Sequence, residues 1–401
     1  MNQTLSIRPF KTPFLKDFVL SPAILPLQDK EIIQMDQELE KYEQLFLDPE
    51  VEKNLITRNE LLASFAISKA EMSTLTLEEA QEVYHLILKN EKYQSISQKL
   101  KKGLKLTQKD HDKLEFYNIA NTFRLFNSQP FALKDLTGAF IQNLHRDLTR
   151  GLDIFKNHLP EFELYKSGKW RDNNLIRVGT YIPADFSLIT QGTEELIRYV
   201  QKDTSPTKIA IFHTALYALH PFNNGNKRIS RILEHLLLRA LGLNKKNLYS
   251  SSYYYHKEKP RYYKYLLYSL ERKNLNHFVS LVQEALSLSI VSVVGLSLQS
   301  KRSSLLDNQS KELKTILKPL VKRHELQFKH LFQKIKGKMA RQTFVNYLQQ
   351  AVDTKTVIKR QQGRSTYYSL YIKSEEQETI SRWLALVGSK LSYIPDEIRL
   401  V

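Results

Sequence analysis

The stretch HPFNNGNKRISR, at residues 220–231, contains the residue types that a phosphate-transfer site needs. It begins with a histidine, a side chain that can take a proton from a hydroxyl near neutral pH. A polar loop centred on Gly225 follows, and glycine lets a phosphate approach the backbone closely. The two arginines, Arg228 and Arg231, lie one turn apart on the same helix face. Because a helix N-terminus presents free N–H groups to an anion, the stretch predicts a phosphate site with His220 as its base.

Two apolar helices are predicted on either side of this loop. TKIAIFHTALYALH (207–220) ends at the histidine, and ISRILEHLLLRAL (229–241) belongs to a helix that begins near Asn226. Helical periodicity recurs upstream, at 29–46, 56–66, 77–88, 114–126, 133–148 and 192–200. Thr76 with Glu79 resembles a capping box at the start of the 77–88 segment. RDNNLIRVGTYIPADF (171–186) is the one central segment with the character of a β-hairpin, and its proline favours a sheet edge. The main body is therefore predicted to be mainly α-helical with a small β-hairpin.

The stretch 220–231 resembles the signature of the Fic family, His-x-Phe-x-Asp/Glu-Gly-Asn-Gly-Arg-x-x-Arg. The likeness extends over about 116–298, which is similar in pattern to a Fic core. The predicted hairpin falls where that family keeps a flap that aligns a target segment by strand addition. Upstream, NELLASFAISKAEMSTLTLEE (59–79) resembles the family's inhibitory helix, written Ser/Thr-x-x-x-Glu-Gly/Asn, and Glu71 falls on its inhibitory glutamate. The resemblance implies a Fic-type helical core with a β-hairpin flap.

The resemblance also implies a role for each matching residue. His220 is the expected base for a Ser, Thr or Tyr hydroxyl of a target protein. Gly225 and Asn226 are expected to line an anion hole around the nucleotide phosphates. Arg228 is expected to hold the outer phosphate with support from Arg231, and the inhibitory glutamate is expected to reach Arg228. Because family members mostly transfer AMP from ATP with loss of pyrophosphate, using magnesium, the implied enzyme is a protein adenylyltransferase with ATP and Mg²⁺.

The motif departs from the family pattern at two positions. Asn224 stands where the family has its metal-binding carboxylate, and an amide oxygen can coordinate Mg²⁺ but brings no charge. Lys227 replaces the second glycine and is expected to meet the nucleotide phosphates. The inhibitory segment departs too, since Ile67 holds the Ser/Thr place and Met72 that of the small residue. Glu71 could therefore also belong to a solvated helix face.

Three functions remain open after these departures. The first is AMP transfer with altered or weakened activity. The second is protein phosphotransfer, because Asn-Lys-Arg at this place also occurs in the Doc toxins, which resemble Fic proteins but transfer a phosphate group, or the use of a nucleotide other than ATP, which Lys227 suggests. The third is a DNA-binding regulator whose Fic-type core is catalytically inactive, because a fold does not guarantee a function.

The segment 301–373 is strongly basic. It holds seventeen lysines and arginines against four acids, a net charge of +13 out of +18 for the whole chain. Three predicted helices and a hairpin turning near 362–363 describe a winged helix-turn-helix, a module that Fic-family proteins often carry after the core. Its candidate DNA-contacting residues are Arg341, Thr343 and Asn346 on the third helix and Lys359, Arg360 and Arg364 on the wing. Protein contacts or homodimerisation are the alternative use of such a module.

Composition limits the remaining possibilities. The chain has no cysteine, which excludes disulfides and thiolate metal sites and favours a reducing cytoplasm. The N-terminus lacks the pattern of a signal peptide, and the apolar run 285–298 is too short and serine-rich to span a bilayer, so no membrane span is expected. The predicted domains are a helical regulatory region (1–115), the catalytic core (116–300), the winged helix (301–374) and a tail (375–401).

Overall fold

The structure, a computed structural model, describes residues 6–160, 162–323, 325–371 and 374–395. It divides into two compact units. The first contains the described residues up to Asp36 together with Asn54–Leu286, and the second contains Gln37–Lys53 and the described residues from Ser287 onward. The predicted boundaries after 115, 300 and 374 stay predictions.

The predicted fold class, mainly α-helical with a small sheet, is confirmed. The longer helices are α1 (Asp29–Phe46), α2 (Pro49–Lys69), α3 (Leu77–Leu88), α4 (Ser95–Lys101), α5 (Gln108–Ser128), α6 (Gly138–Leu148), α7 (Ile189–Gln201), α8 (Pro206–Leu219), α9 (Asn226–Ala240), α10 (Ser251–Lys257), α11 (Lys259–Glu271), α12 (Asn276–Asp307), α13 (Lys311–Lys322), α14 (Phe328–Ile335), α15 (Arg341–Asp353) and α16 (Ser374–Lys390). The strands are β1 (Leu326–Gln327), β2 (Val357–Gln362) and β3 (Ser365–Leu370).

Helices α8 and α9 form the centre of the first unit and hold the candidate motif between them. Ser205 caps α8 by accepting the N–H of Lys208 at 3.3 Å, and Pro206 occupies the first turn, where its missing N–H has no consequence. Every residue of α8 from Ile209 to Leu219 is buried, as its apolar sequence predicts. Helix α9 begins directly after Gly225, whose φ of 84° is a left-handed conformation that glycine adopts without strain.

The segment 171–186 is not the predicted two-stranded hairpin. It forms a loop with one antiparallel bridge, in which Val178 and Tyr181 exchange backbone hydrogen bonds of 3.0 and 3.1 Å. The carbonyls of Asn173 and Ala184 accept hydrogen bonds from the side chain of Arg171. A side chain, rather than a continued strand ladder, thus holds this segment.

The N-terminal helices follow their sequence signals closely. Thr76 and Glu79 form the predicted capping box at the start of α3. Helix α2 ends at Lys69 in a tight turn that contains Glu71, and Met72 takes a positive φ of 65° at its end. Helix α3 packs on α5 through a small apolar cluster that includes Val83.

In the second unit, α13, α14 and α15 pack around an antiparallel sheet of order β1-β3-β2. The predicted helices and the hairpin turning at 362–363 are present, and β1 adds a third strand that the sequence did not indicate. Phe344 and Leu348 of α15 lie in the apolar core of this unit.

Helix α12 contains the apolar run 285–298. It is long and apolar enough to cross a membrane by those criteria alone, but 78% of its apolar window is buried inside the protein. The run 285–298 therefore lies in a largely buried helix.

Candidate active site

His220 ends α8 in a left-handed conformation, with φ 52° and ψ 62°. Its Nδ1 lies 3.4 Å from the carbonyl oxygen of Tyr217, which can only accept a hydrogen bond. The proton is therefore on Nδ1, and Nε2 carries the free lone pair that a base needs. Burial lowers the pKa of His220 to about 4, with smaller contributions from Arg171 and Lys227, while the negative charge of Glu71 opposes the shift. The imidazole is neutral at pH 7, as the predicted role requires.

His220 opens onto a cleft of about 650 Å³ in the first unit. The residues lining it include Glu71, Lys166, Asn223, Asn224, Gly225 and Lys227. The structure thus brings the predicted base, the polar loop and the predicted inhibitory glutamate to one cavity. Positive side chains predominate around it, which suits a polyphosphate ligand.

The loop before α9 is closed by its own side chains. Asn226 accepts the N–H of Phe222 at 3.0 Å through Oδ1 and donates to the carbonyl of the same residue at 2.8 Å through Nδ2. The side chain of Asn226, expected to line an anion hole, instead fixes the shape of the loop. Gly225 is where a phosphate could approach, since it has no side chain and lies at the N-terminus of α9.

His145 of α6 supports this loop, a role that the sequence did not reveal. Its ring stacks on Phe222 with centroids 3.8 Å apart and planes inclined by 4°. Nδ1 accepts the N–H of Gly168 at 2.9 Å, so Nε2 bears the proton and donates to the carbonyl of Asn224 at 3.1 Å. Burial lowers the pKa of His145 to about 4, which keeps the ring neutral.

Arg228 is almost completely buried, with 1% of its surface exposed. Its Nη2 lies 2.7 Å from Oε1 of Glu115 on α5. Burial lowers the pKa of the guanidinium, but Glu115, Tyr165 and Glu71 together outweigh burial and raise the pKa. Nε and Nη1 have no hydrogen-bond partner among the described residues. A Cβ at Gly225 would lie 3.6 Å from Nη1, so this unpartnered donor lies directly under the loop.

Glu115 is therefore a site residue that no sequence motif predicted. The hydroxyl of Tyr165 lies 3.4 Å from its Oε1, and the Arg228 guanidinium lies over the Tyr165 ring at 5.4 Å. Burial raises the pKa of Glu115 more than Arg228 lowers it. One signal existed in the sequence: Glu115 stands one turn before Ile119 on the apolar face of α5, where a charge needs a partner.

Glu71 does not reach Arg228 as expected. Its Oε2 lies 3.4 Å from Nζ of Lys227, which is itself 5.1 Å from the centroid of the Tyr263 ring. Tyr263 also donates to the carbonyl of Ala70 at 2.6 Å, which holds the turn in place. Burial raises the pKa of Glu71, but Lys227 and Arg228 outweigh it and lower the pKa overall. The Glu71 carboxylate is thus charged and forms an ion pair with Lys227, while Arg228 has Glu115 as its ion-pair partner.

Arg231 lies away from the cleft. Its Nη1 donates to the carbonyl of Ala66 on α2 at 3.0 Å, and its guanidinium packs 4.3 Å from the centroid of Tyr262. Arg231 was expected to support Arg228, but it instead links α9 to α2, the helix that precedes Glu71.

The residues around Asn224 do not fit a magnesium ion. The Oδ1 of Asn224, its candidate ligand, accepts the N–H of Gly225 at 2.7 Å. Among the described residues, no group of three or more His, Asp or Glu side chains could hold a metal. Mg²⁺ is normally held by carboxylates and phosphates in an octahedral shell. The positive charge that this loop presents comes from its own lysine and arginine.

The candidate DNA-contacting residues lie in the second unit. Arg341, Thr343 and Asn346 are exposed on α15, and Lys359 and Arg364 are exposed on the hairpin. Arg360 differs, because two of its nitrogens donate to Glu325 at 2.9 and 2.6 Å. Its charge is therefore already matched by a carboxylate.

Comparisons with known proteins agree with the motif. Residues 135–238 match the model of the Fic/DOC family. The Protein adenylyltransferase Fic of Drosophila mojavensis is 29% identical over 116 residues, which cover 28% of this chain and 23% of that protein. The chain thus spans about a quarter of the length of that relative.

Solved structures with similar folds include two proteins described as Fic proteins. One is a Fic family protein from Desulfovibrio desulfuricans, with 17% identity, a TM-score of 0.49 and coverage of 87% of this chain and 99% of that chain. Another is Fic-1 from C. elegans, with 16% identity, a TM-score of 0.49 and coverage of 69% and 73%. The family match includes His220 and the loop that follows it, and the chain therefore carries a Fic/DOC family domain at residues 135–238.

Proposed function

We propose that this chain is a Fic-type nucleotidyltransferase that moves AMP from ATP to a Ser, Thr or Tyr hydroxyl of a protein. The observation that carries the proposal is a neutral base near an arginine that keeps two unpartnered N–H donors beneath the same loop. His220 presents Nε2 at the cleft, and Arg228 keeps two donors without partners beneath Gly225. Buried donors of this kind need an acceptor, and a phosphate would supply it.

The proposed reaction uses the chain's own groups. The target hydroxyl attacks the α-phosphorus of ATP while Nε2 of His220 takes its proton. The bond from the α-phosphorus to the bridging oxygen breaks, pyrophosphate leaves, and His220 later returns the proton to solvent. Lys227, Arg228 and the N-terminus of α9 face the negative charge that develops on the phosphates.

We further propose that the loop is retuned rather than lost. Asn224 closes the loop through Gly225, and Lys227 supplies a charge where the family pattern has glycine. The pairing of Lys227 with Glu71 keeps that charge occupied until the carboxylate moves. Restrained activity is the expected ground state of the protein.

Purified protein incubated in parallel with ATP labelled at the α- or the γ-phosphate tests the reaction class. Label from the α-phosphate on protein supports AMP transfer, and label from the γ-phosphate alone indicates a Doc-like phosphotransfer. The absence of both labels, including in a Glu71→Gly variant, would instead favour a regulator with an inactive core. Glu71→Gly removes the carboxylate from Lys227 and should raise self-modification.

A second proposed function is nucleic-acid binding by the second unit. Its support is the net charge of +13 in 301–373 together with the exposed side chains of α15 and of the hairpin. Fluorescence anisotropy with a duplex DNA at several salt concentrations should give a negative slope of log K against log salt. Lys359→Ala with Arg364→Ala should reduce that slope by about two, because each removes roughly one phosphate contact. Lys101→Ala with Lys102→Ala, at exposed positions of the first unit, is the matched control. A slope near zero with a concentration-dependent dimer would favour the protein-contact alternative.

A further inference from the structure

Arg171 is a buried arginine with an unusual set of partners. Only 3% of its surface is exposed, yet no carboxylate is within hydrogen-bonding distance among the described residues. All five donors go to oxygens of amide groups. Nε donates to the carbonyl of His220 at 2.7 Å, and Nη2 donates to the carbonyls of Leu219 at 3.2 Å and Ala184. Nη1 donates to the carbonyl of Asn173 at 2.6 Å and to Oδ1 of Asn174 at 3.2 Å.

The backbone of Arg171 adds a sixth link, since its N–H donates to the carbonyl of Pro221 at 2.8 Å. Three consecutive carbonyls, from Leu219 to Pro221, are therefore held by one residue. His220 stands in the middle of them with a φ of 52°. A left-handed conformation costs a side-chain-bearing residue free energy and persists only where its surroundings enforce it.

The geometry points to Arg171 as a positioning residue for His220, through which the loop 171–186 sets the orientation of the base. This inference rests on the proposed transfer reaction. Arg171 does not itself line the cleft; it acts on the backbone that carries the imidazole.

The same guanidinium connects the base to the loop at the edge of the cleft. Asn174, which accepts from Arg171, also donates to Asp185 at 2.5 Å and accepts the N–H of Phe186 at 2.9 Å. The loop between these anchors carries Leu175 and Ile182, which are 86% and 61% exposed. A segment bound along this loop would shift the oxygens that Arg171 holds, and the shift would reach His220 through three carbonyls.

Arg171→Lys is the decisive variant because it keeps the charge and removes the fork. A lysine has three donors on one nitrogen and cannot reach the acceptors that lie along the different edges of the guanidinium. We expect kcat for transfer to fall by about 100-fold, the usual effect of a displacement of about 1 Å, with an unchanged KM for ATP. Arg198→Lys, at an exposed arginine of α7, is the matched control and should behave as the wild type.

A second readout does not depend on turnover. The rate at which diethyl pyrocarbonate modifies His220, measured by peptide mass spectrometry, should rise several-fold in Arg171→Lys. Asn174→Ala removes one acceptor at an exposed position, and it should change both readouts in the same direction by less. If Arg171→Lys does not fold, Asn174→Ala decides the question alone.

Wild-type values of kcat and of His220 reactivity in these variants would overturn the inference. The predicted fall in kcat with an unchanged reactivity of His220 would also overturn it, because the loss of activity would then not result from a change at the base. If the wild type transfers nothing from either labelled ATP, the proposed function fails, while the reactivity of His220 still tests the link to Arg171.

Discussion

Removal of the carboxylate that pairs with Arg228 should strongly destabilise the first unit. In Glu115→Gln the guanidinium stays 1% exposed, and it loses the charge that lies 2.7 Å from Nη2. Two of its other nitrogens already lack a partner among the described residues, which indicates that no further acceptor is at hand to replace the lost charge. Breaking a buried ion pair at one end costs about 3–5 kcal/mol, and we expect the free energy of unfolding to fall by that amount.

Urea unfolding followed by tryptophan fluorescence measures this loss. The chain has two tryptophans, and in a Trp383→Phe background the remaining Trp170 reports on the first unit. The ring centroids of Trp170 and Phe222 are 4.8 Å apart. With a slope of about 2 kcal/mol per M, the midpoint should fall by roughly 2 M. Glu82→Gln removes an exposed partner of Lys113 and should change the free energy by less than about 0.5 kcal/mol.

An added anion provides the second half of this test. Millimolar pyrophosphate should stabilise Glu115→Gln more than the wild type, because a phosphate bound at Gly225 becomes the missing partner of Arg228. A free energy of unfolding within 1 kcal/mol of the wild type would refute the buried-pair reasoning. Equal stabilisation of both proteins by pyrophosphate would refute the proposed contact between Arg228 and phosphate.

Further predictions concern the base, the restraint, the loop and the pH dependence. His220→Ala should lower transfer by about 10²–10⁴-fold while ATP binding, measured by calorimetry, persists; unchanged turnover would exclude the proposed base. Glu71→Gln should raise the initial rate of self-modification several-fold by releasing Lys227, and an unaltered rate would return Glu71 to a structural role. Asn224→Asp should reduce transfer at low magnesium if the loop is retuned, whereas a gain at every magnesium concentration would show that the natural loop is impaired. The pKa of about 4 for His145 lies below its unfolded value, so the unfolded chain binds more protons at low pH. The free energy of unfolding should therefore fall by ~3 kcal/mol as the pH drops from 6.5 to 4. In urea titrations of His145→Gln, the fall over the same pH range should be smaller by that amount.

The sequence predicted the local part of this site well. Helix α8, the loop and the start of α9 followed from an apolar run that stops at His220 and resumes after Gly225. The capping box at Thr76 and the C-terminal hairpin also followed, because hydrogen-bond partners a few residues apart leave a pattern in the sequence.

The partners that complete the site come from distant positions and left no such pattern. Glu115 meets Arg228 across more than a hundred residues, and Glu71 meets Lys227 rather than the expected arginine. Which cation Glu71 pairs with depends on where α2 ends and on how the turn after α2 packs on Tyr263. The partners of Arg171 were not predicted either, since its guanidinium donates to carbonyls of three separate segments, at Asn173, Ala184 and His220.

Intact-mass spectrometry of the Glu71→Gly protein after incubation with ATP, with and without His220→Ala, tests the central claim most directly. The proposed mechanism predicts a mass increase equal to one or more AMP groups in Glu71→Gly and its loss when His220→Ala is added. An AMP-sized increase that persists without His220, or no increase in either protein at any magnesium concentration, would contradict it.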